Sequence, residues 1–316
     1  VLFNKAKTTL LQYPENRPGS AYTIPPTVTM IGEEAFLLVH YLTSITIPEN
    51  VTAIDENAFN HCYVLASVTI PSGVKTIARN AFSFCPSLTQ ITVNAGNNYY
   101  TSVDGVLFDK GKTILLTYPA GRPGTEYEVP EGVVSIMENA FASCSNLTSV
   151  KIPNSVTEMG FGIFQNAEKL ASVTIPFGVR KIEGALFIRC KELTSVTLPA
   201  GVTEIKEEAF QECEKLKDVT VRMQTPLNIE GKNVFDKVPL SEATLTVPKG
   251  SKAAYESAPV WKDFKEIKEA DAQFDVQPAS LDLGYSWDEK IIEVTSDRPW
   301  KASIEGFVAE FVTDDS

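Results

Sequence analysis

Apolar side chains recur along this chain with a period of 23 residues. Phe36, Phe59 and Phe82 mark one run, and Phe141, Phe164, Phe187 and Phe210 mark another. Behind each Phe comes a short alternating run, such as Leu42-Thr43-Ser44-Ile45-Thr46-Ile47-Pro48 or Leu193-Thr194-Ser195-Val196-Thr197-Leu198-Pro199. A second apolar pair, such as Val51 with Ile54 or Val202 with Ile205, precedes the next Phe. Alternation of Ile45 and Ile47 with Ser44 and Thr46 predicts a strand with one buried face. Pro48 cannot donate to a ladder, so it ends the strand and turns the chain.

One such unit cannot bury its own apolar face, whereas stacked copies bury a continuous core and pair each strand with its neighbours. Equivalent residues then form ladders of Phe, of Ile, Val and Leu, and of Ala. The expected fold is mostly β with short helical or 3-10 turns. It is a solenoid of the leucine-rich-repeat type, whose repeats span about 20–29 residues.

The rhythm breaks between Val93 and Val129. There the runs on either side of Lys110-Gly111 read as a β-hairpin turned at Gly. The chain opens with the same element, from Val1 to Pro14, and Arg17-Pro18-Gly19 matches Arg122-Pro123-Gly124 at an offset of 105. Residue 1 falls inside that motif, so the natural N-terminus is expected elsewhere. Phe235 and Leu245-Thr246-Val247-Pro248 read as a last degenerate turn. Trp261, Phe264 and Ile267 stand at helical spacing, as in an amphipathic cap over the open end (about 235–270). Residues 269–272 read as a linker. The chain thus divides into a solenoid with its cap, 1–270, and a partial β module, 273–316. In the latter, Phe274 to Leu283 and Ile291 to Val294 are strand-like, and Trp300 supplies a core aromatic.

The unit L-T-S-[VI]-T-[IL]-P…V-x-x-I-x-x-x-A-F-x-x-C resembles the BspA-like leucine-rich repeats of bacterial surface proteins. The hairpin from Asp104 to Pro119 and the cap from Val247 to Phe264 resemble that family too. The stretches from Pro278 to Leu281 and from Ile292 to Trp300 are similar to the first half of a BACON module. Such Ig-like modules accompany the surface glycan proteins of gut bacteria. These resemblances imply an extracellular, surface-attached protein that binds host or microbial macromolecules, with no catalytic residues.

Composition narrows the chemistry. The 316 residues carry 28 basic and 40 acidic side chains, a net charge of −12, which argues against nucleic acid as a partner. No apolar run reaches the roughly 20 residues of a membrane span. Only two histidines are present. Cys62, Cys85, Cys144, Cys190 and Cys213 all stand three residues after the ladder Phe, where other copies have Val39 or Ala167. Such interchange predicts buried, apolar thiols. A disulfide between neighbours such as Cys62 and Cys85 stays open, and no C-x-x-C metal pairing exists. His40 and His61 read as turn or surface residues. Glu33-Glu34, Asp55-Glu56 and Glu207-Glu208 recur at one repeat phase and read as solvated acids. The Asn50-Val51-Thr52 and Asn146-Leu147-Thr148 sequons follow from the repeat itself. No phosphate loop, nucleophile elbow or cofactor motif occurs, and no cofactor is expected.

Two function classes remain: a non-enzymatic adhesion scaffold, expected to be monomeric, and a glycan-binding protein. For the scaffold, the outward strand positions would form the site. These are Ser44, Thr46, Ser67, Thr69, Gln90, Thr92, Ser149, Lys151, Ser172, Thr174, Ser195, Thr197, Asp218 and Thr220, stacked as two ladders on one long face. Thr also suits exposed strands through β propensity and cross-strand hydrogen bonds. Lys110, Lys112, Lys5 and Lys7 at the hairpin tips are a rival basic site. For glycan binding, Tyr285 and Trp287 in the tail are the candidates.

Overall fold

The computed structural model describes residues 1–270, 274–277 and 293–296. The chain forms two compact units, Val1–Glu269 and Ala270–Ser316. In the second, the described strands Phe274–Gln277 and Glu293–Ser296 pair antiparallel. Leu281, Leu283, Tyr285, Trp287 and Trp300 lie outside the described residues.

The first unit is a β-solenoid in which each repeat contributes two parallel strands. The longer ones build one side: Ser67–Ile70 pairs with Gln90–Val93, and Ser195–Leu198 with Asp218–Val221. In both pairs the register is one whole repeat, Ser67 facing Gln90 and Val68 facing Ile91. The shorter ones, such as Met30–Ile31, Ala53–Ile54 and Thr76–Ile77, build a second sheet. The Phe segment closes each turn between them.

Phe36, Phe59 and Phe82 stack with centroids 4.8 and 5.2 Å apart, and Phe141 through Phe235 stack at 5.3–5.4 Å. Each column opens on a tyrosine: Tyr13 lies on Phe36 at 5.2 Å and Tyr118 on Phe141 at 5.0 Å. Arg17 and Arg122 sit over those tyrosines at 5.4 and 5.5 Å, which is the role of the repeated Arg-Pro-Gly.

The Phe segment has a backbone the repeat pattern does not announce. Two residues per turn, two before and two after the ladder Phe, hold φ between 51° and 61°. They include Glu34 and Leu38, Asn57 and His61, Ala185 and Arg189, and Glu208 and Glu212. The left-handed flip aims their N–H groups along the stack. Glu34, Phe36 and Leu38 donate to the carbonyls of Glu56, Ala58 and Asn60 in the next repeat. Ala35 and Leu37 bond locally to Gly32 and Glu34. Asn tolerates this conformation and occupies the first site at Asn57, Asn80 and Asn139, whereas Glu does not favour it. Glu34→Asn should therefore raise stability by about 1 kcal/mol in a denaturant melt; no gain would mean that the flip carries little strain.

The hairpin departs from expectation. Three antiparallel strands are present, Tyr100–Val103, Val106–Asp109 and Ile114–Thr117. Gly111 does not set the second turn. Asp109 does, accepting from the amide of Ile114 at 2.6 Å and from Thr113 Oγ1 at 3.1 Å, with Lys112 left-handed. In the first copy Asn4 and Lys7 repeat this arrangement, and Ala6 replaces the glycine.

The core is also not continuous. Leu107 is buried with the side chains from Leu10 to Ile91, whereas Val106 and Phe108 are buried with those from Leu115 to Ile267. The strand Val106–Asp109 is thus a wall with one hydrophobic core on each face.

At the C-terminal end of this unit the helical spacing misleads. Lys252–Ser257 is a short helix and Trp261–Asp263 a 3-10 turn, but Ile267 lies on a strand, Glu266–Glu269, paired in parallel with Thr244–Val247. The cap therefore extends the sheet by one strand. Trp261 and Phe264 meet Phe235 edge-on at 5.8 and 5.6 Å and end the aromatic column.

Candidate functional site

The outward strand residues line up as the pattern requires, with breaks. The long face comprises three sheets: 21–23 with 44–46, 67–70 and 90–93; 126–128 with 149–151 and 172–173; and 195–198 with 218–221, 244–247 and 266–269. Two uninterrupted ladders are therefore not formed. The hairpin intervenes after Gln90, where a side chain at Gly105 would come within 3.0 Å of the Gln90 Cβ. Ser44, Thr46, Ser67, Thr69, Gln90, Thr92, Lys151, Ser172, Thr174, Ser195, Thr197 and Asp218 are exposed. Ser149 and Thr220 are half-buried, and Thr174 lies one residue past the end of its strand.

Hydroxyls next to this face divide into two groups. Thr43, Thr89, Thr148 and Thr194, just before the strands, each donate to the backbone carbonyl one repeat back, at 2.9–3.5 Å. They are spent on the stack. Among the described residues, the hydroxyls of Ser44, Thr46, Ser67, Thr69, Thr92, Ser172, Thr174, Ser195 and Thr197 make no such bond, and no cross-strand bond either. Their hydrogen-bonding capacity faces solvent. Lys151 is paired across the strands with Glu128.

The rival hairpin site is weaker than its charge suggests. Lys110 Nζ donates to the carbonyl of Asn97, so one of its cations is held by the backbone. Lys5, Lys7 and Lys112 are exposed.

Catalytic arrangements do not assemble at the residues weighed for them. His40 stacks on Tyr63 at 5.4 Å and His61 on Phe84 at 4.7 Å, and burial lowers the pKa of His61. Glu56 binds Arg79 at 3.0 Å, and Asp55 caps the amide of Glu56. Glu34 and Glu208 occupy left-handed positions. No cluster of three or more potential metal-binding side chains occurs among the described residues.

All five cysteines are buried free thiols. Cys62, Cys85, Cys190 and Cys213 each point Sγ at the carbonyl of the ladder Phe one turn back, at 3.1–3.2 Å. Burial pushes the Cys144 and Cys190 thiols well up, and that of Cys213 up to about 12. A raised folded-state pKa means that unfolding releases a proton above the ordinary thiol value. Stability from these groups is thus intact below about pH 8.5 and is lost as pH rises toward 12. Thermal melts across that range should show a progressive fall, and a Cys190→Ala, Cys213→Ala variant a shallower one. Equal slopes would assign the alkaline loss to other groups.

A repeating parallel β-solenoid with an exposed, unspent hydroxyl face, a capped end and no assembled catalytic cluster among its described residues defines a leucine-rich-repeat scaffold. The family model for the BspA type leucine rich repeat region matches residues 16–110 and 123–247 in six copies, and the chain belongs to that family. A leucine rich cell surface protein from Faecalibacterium prausnitzii is similar at 30% identity and TM-score 0.62, over 80% of this chain. This chain spans 60% of that protein's length. The pneumococcal vaccine antigen PcpA shares the fold at 22% identity and TM-score 0.68, covering 79% of this chain and 67% of its own. A leucine-rich repeat protein from Eubacterium ventriosum shares it at 22% identity and TM-score 0.52, over 84% and 80%. No curated protein sequence matches the chain. No described helix is long and apolar enough to cross a membrane.

Proposed function

We propose that this protein is a non-enzymatic, bacterial cell-surface interaction protein of the adhesion type. Its solenoid, residues 1–270, is the scaffold and works as a monomer outside the cell without a cofactor. Residues 273–316 are its BACON-like module. The partner is a protein or polysaccharide that lies across the Ser/Thr face. The unspent hydroxyls carry this reading: Thr148 and Thr194, just before the strands, are committed to the stack, whereas the hydroxyls of Ser172, Thr174, Ser195 and Thr197 are left to solvent. A flat face of free hydroxyls suits an extended polymer or a protein surface, as the sheet faces of solenoids do.

The test starts from binding profiles of the whole chain on a glycan array and on an arrayed panel of extracellular proteins. Thr174→Arg with Thr197→Arg should remove the hits, since Arg blocks the face without touching the core. Lys110→Ala with Lys112→Ala should leave them. The opposite outcome moves the site to the hairpin.

A further inference from the structure

A second surface lies on the sheet of short strands, away from the hydroxyl face. A groove of about 590 Å³ runs over Ser135–Ile136, Glu158–Met159 and Lys181, and adjoins another of about 570 Å³ near Glu204 and Lys232. Both are lined by Phe161, Glu183 and Lys206.

Phe161 is out of character for its position. Three residues before the ladder Phe, the other repeats carry Glu33, Glu56, Arg79, Glu138, Gly184, Glu207 and Lys232. An aromatic ring stands here instead, 45% exposed. It lies over Gly184, where an added Cβ would be only 3.1 Å from the ring edge. The glycine thus leaves room for the ring to spread across the neighbouring repeat. The ring's edge lies against Gly184 and the ring lines both grooves.

The charges around it are not balanced. Lys206 is held by Glu183 at 2.6 Å and Lys181 by Glu204 at 3.6 Å. Lys232 and Arg180 donate to the carbonyls of Ile205 and Gly201, at 3.1 and 3.4 Å. Two of the four cations are thus paired with carboxylates and two keep their charge against backbone carbonyls, while six Glu side chains line the two grooves, so negative charge is in excess. The side chains of Glu158, Glu207 and Glu208 have no bonded partner among the described residues; Glu158 lines the first groove and the other two line the second, with Phe161 lining both. An exposed aromatic ring among unpaired carboxylates attracts a cation that also offers apolar surface.

We propose that this groove binds a basic, extended segment of a partner protein, with one Arg or Lys laid on Phe161 between Glu158 and Glu207. The inference rests on the reading of the chain as a surface interaction protein and names a second contact and its chemistry. The charge of the whole chain, −12, draws the same class of partner.

The test uses a fluorescein-labelled peptide of repeated Arg-Gly-Ser, its Glu-Gly-Ser counterpart and a labelled neutral cello-oligosaccharide, titrated with the full chain by anisotropy. The Arg peptide alone should bind, and more weakly as salt is raised. Phe161→Glu restores the residue found in four other repeats, so it should fold normally by circular dichroism and melt. It adds a negative charge to the groove, yet affinity should fall about tenfold because the ring is lost. Glu158→Gln with Glu207→Gln should weaken binding as well. Equal or tighter binding by Phe161→Glu overturns the proposal and leaves only general attraction to an acidic surface. Binding of the oligosaccharide instead, or of no probe, overturns it too. The variant with Arg at positions 174 and 197 should still bind the peptide, so a failed hydroxyl face and a failed groove give different results.

Discussion

Phe187→Ala is expected to destabilise the solenoid by about 3–5 kcal/mol, the range for truncating a buried Phe. Phe187 is fully buried and lies 5.4 Å from both Phe164 and Phe210, so its removal opens a gap shared by three turns. Its amide also donates to Ala209 in the next repeat, and a collapsed cavity would strain that bond. Because repeats contact only their neighbours, the damage should be local before it is global. Hydrogen exchange should speed up most between about 164 and 210, ahead of the loss measured by denaturant. A near-neutral melt would mean that the ring is not part of the column.

Asn97→Leu should cost about 3 kcal/mol, from a residue that no apolar pattern marks. Asn97 is fully buried. Its Nδ2 donates to the carbonyls of Pro71 and Val74, both at 2.9 Å, and its Oδ1 accepts from the amides of Tyr99 and Tyr100 at 2.8 Å. One amide thus ties the entry of the hairpin to the repeat before it. Leucine keeps the volume but leaves those groups unpaired, and the resulting desolvation penalty is the source of the cost. The same change at the exposed Asn98 is the control and should be close to neutral in urea. Equal effects at the two positions would refute the hydrogen-bond explanation.

The two positions mark how far the sequence could be read. Phe187, Cys190 and Val196 are legible because burial permits few side chains, so each copy repeats them. Val51 and Leu147, the middle residues of the two sequons, are buried for the same reason. The left-handed sites were legible only in part. Asn57, Asn80, Asn139 and Asn233 hint at the first site, but inter-repeat hydrogen bonds hold the same conformation at Glu34, Leu38, Ala185 and Arg189, so residue type gives only a partial signal. Ile267 stands at helical spacing in the sequence and on a strand in the fold, because a short cap and a short strand can share the same spacing of apolar residues. The hydroxyl face was visible in part. Alternation identified Ser44 and Thr46 as outward, but only the partners of Thr43 and its equivalents reveal which hydroxyls are unspent. Phe161 stood in plain view as an exception to the repeat, but its meaning depends on Gly184 one turn away.

The strand Val106–Asp109 acts as a firebreak. In an ordinary solenoid, loosening that starts at one end spreads through an unbroken column. Here the aromatic column of the first stack ends at Phe82 and a new one begins at Tyr118, with Leu107 facing one core and Phe108 the other. Melting from the N-terminal side must unseat Leu107 and then separately expel Phe108 before it can advance. Two slow-exchanging blocks of amides, divided near residue 107, are the expected record of that barrier. A single block exchanging as one would show that the wall transmits what it is built to stop. A scaffold divided in this way can lose one stack of repeats to heat or protease while keeping the other, with the groove and the Thr174 and Thr197 part of the hydroxyl face both on the second stack.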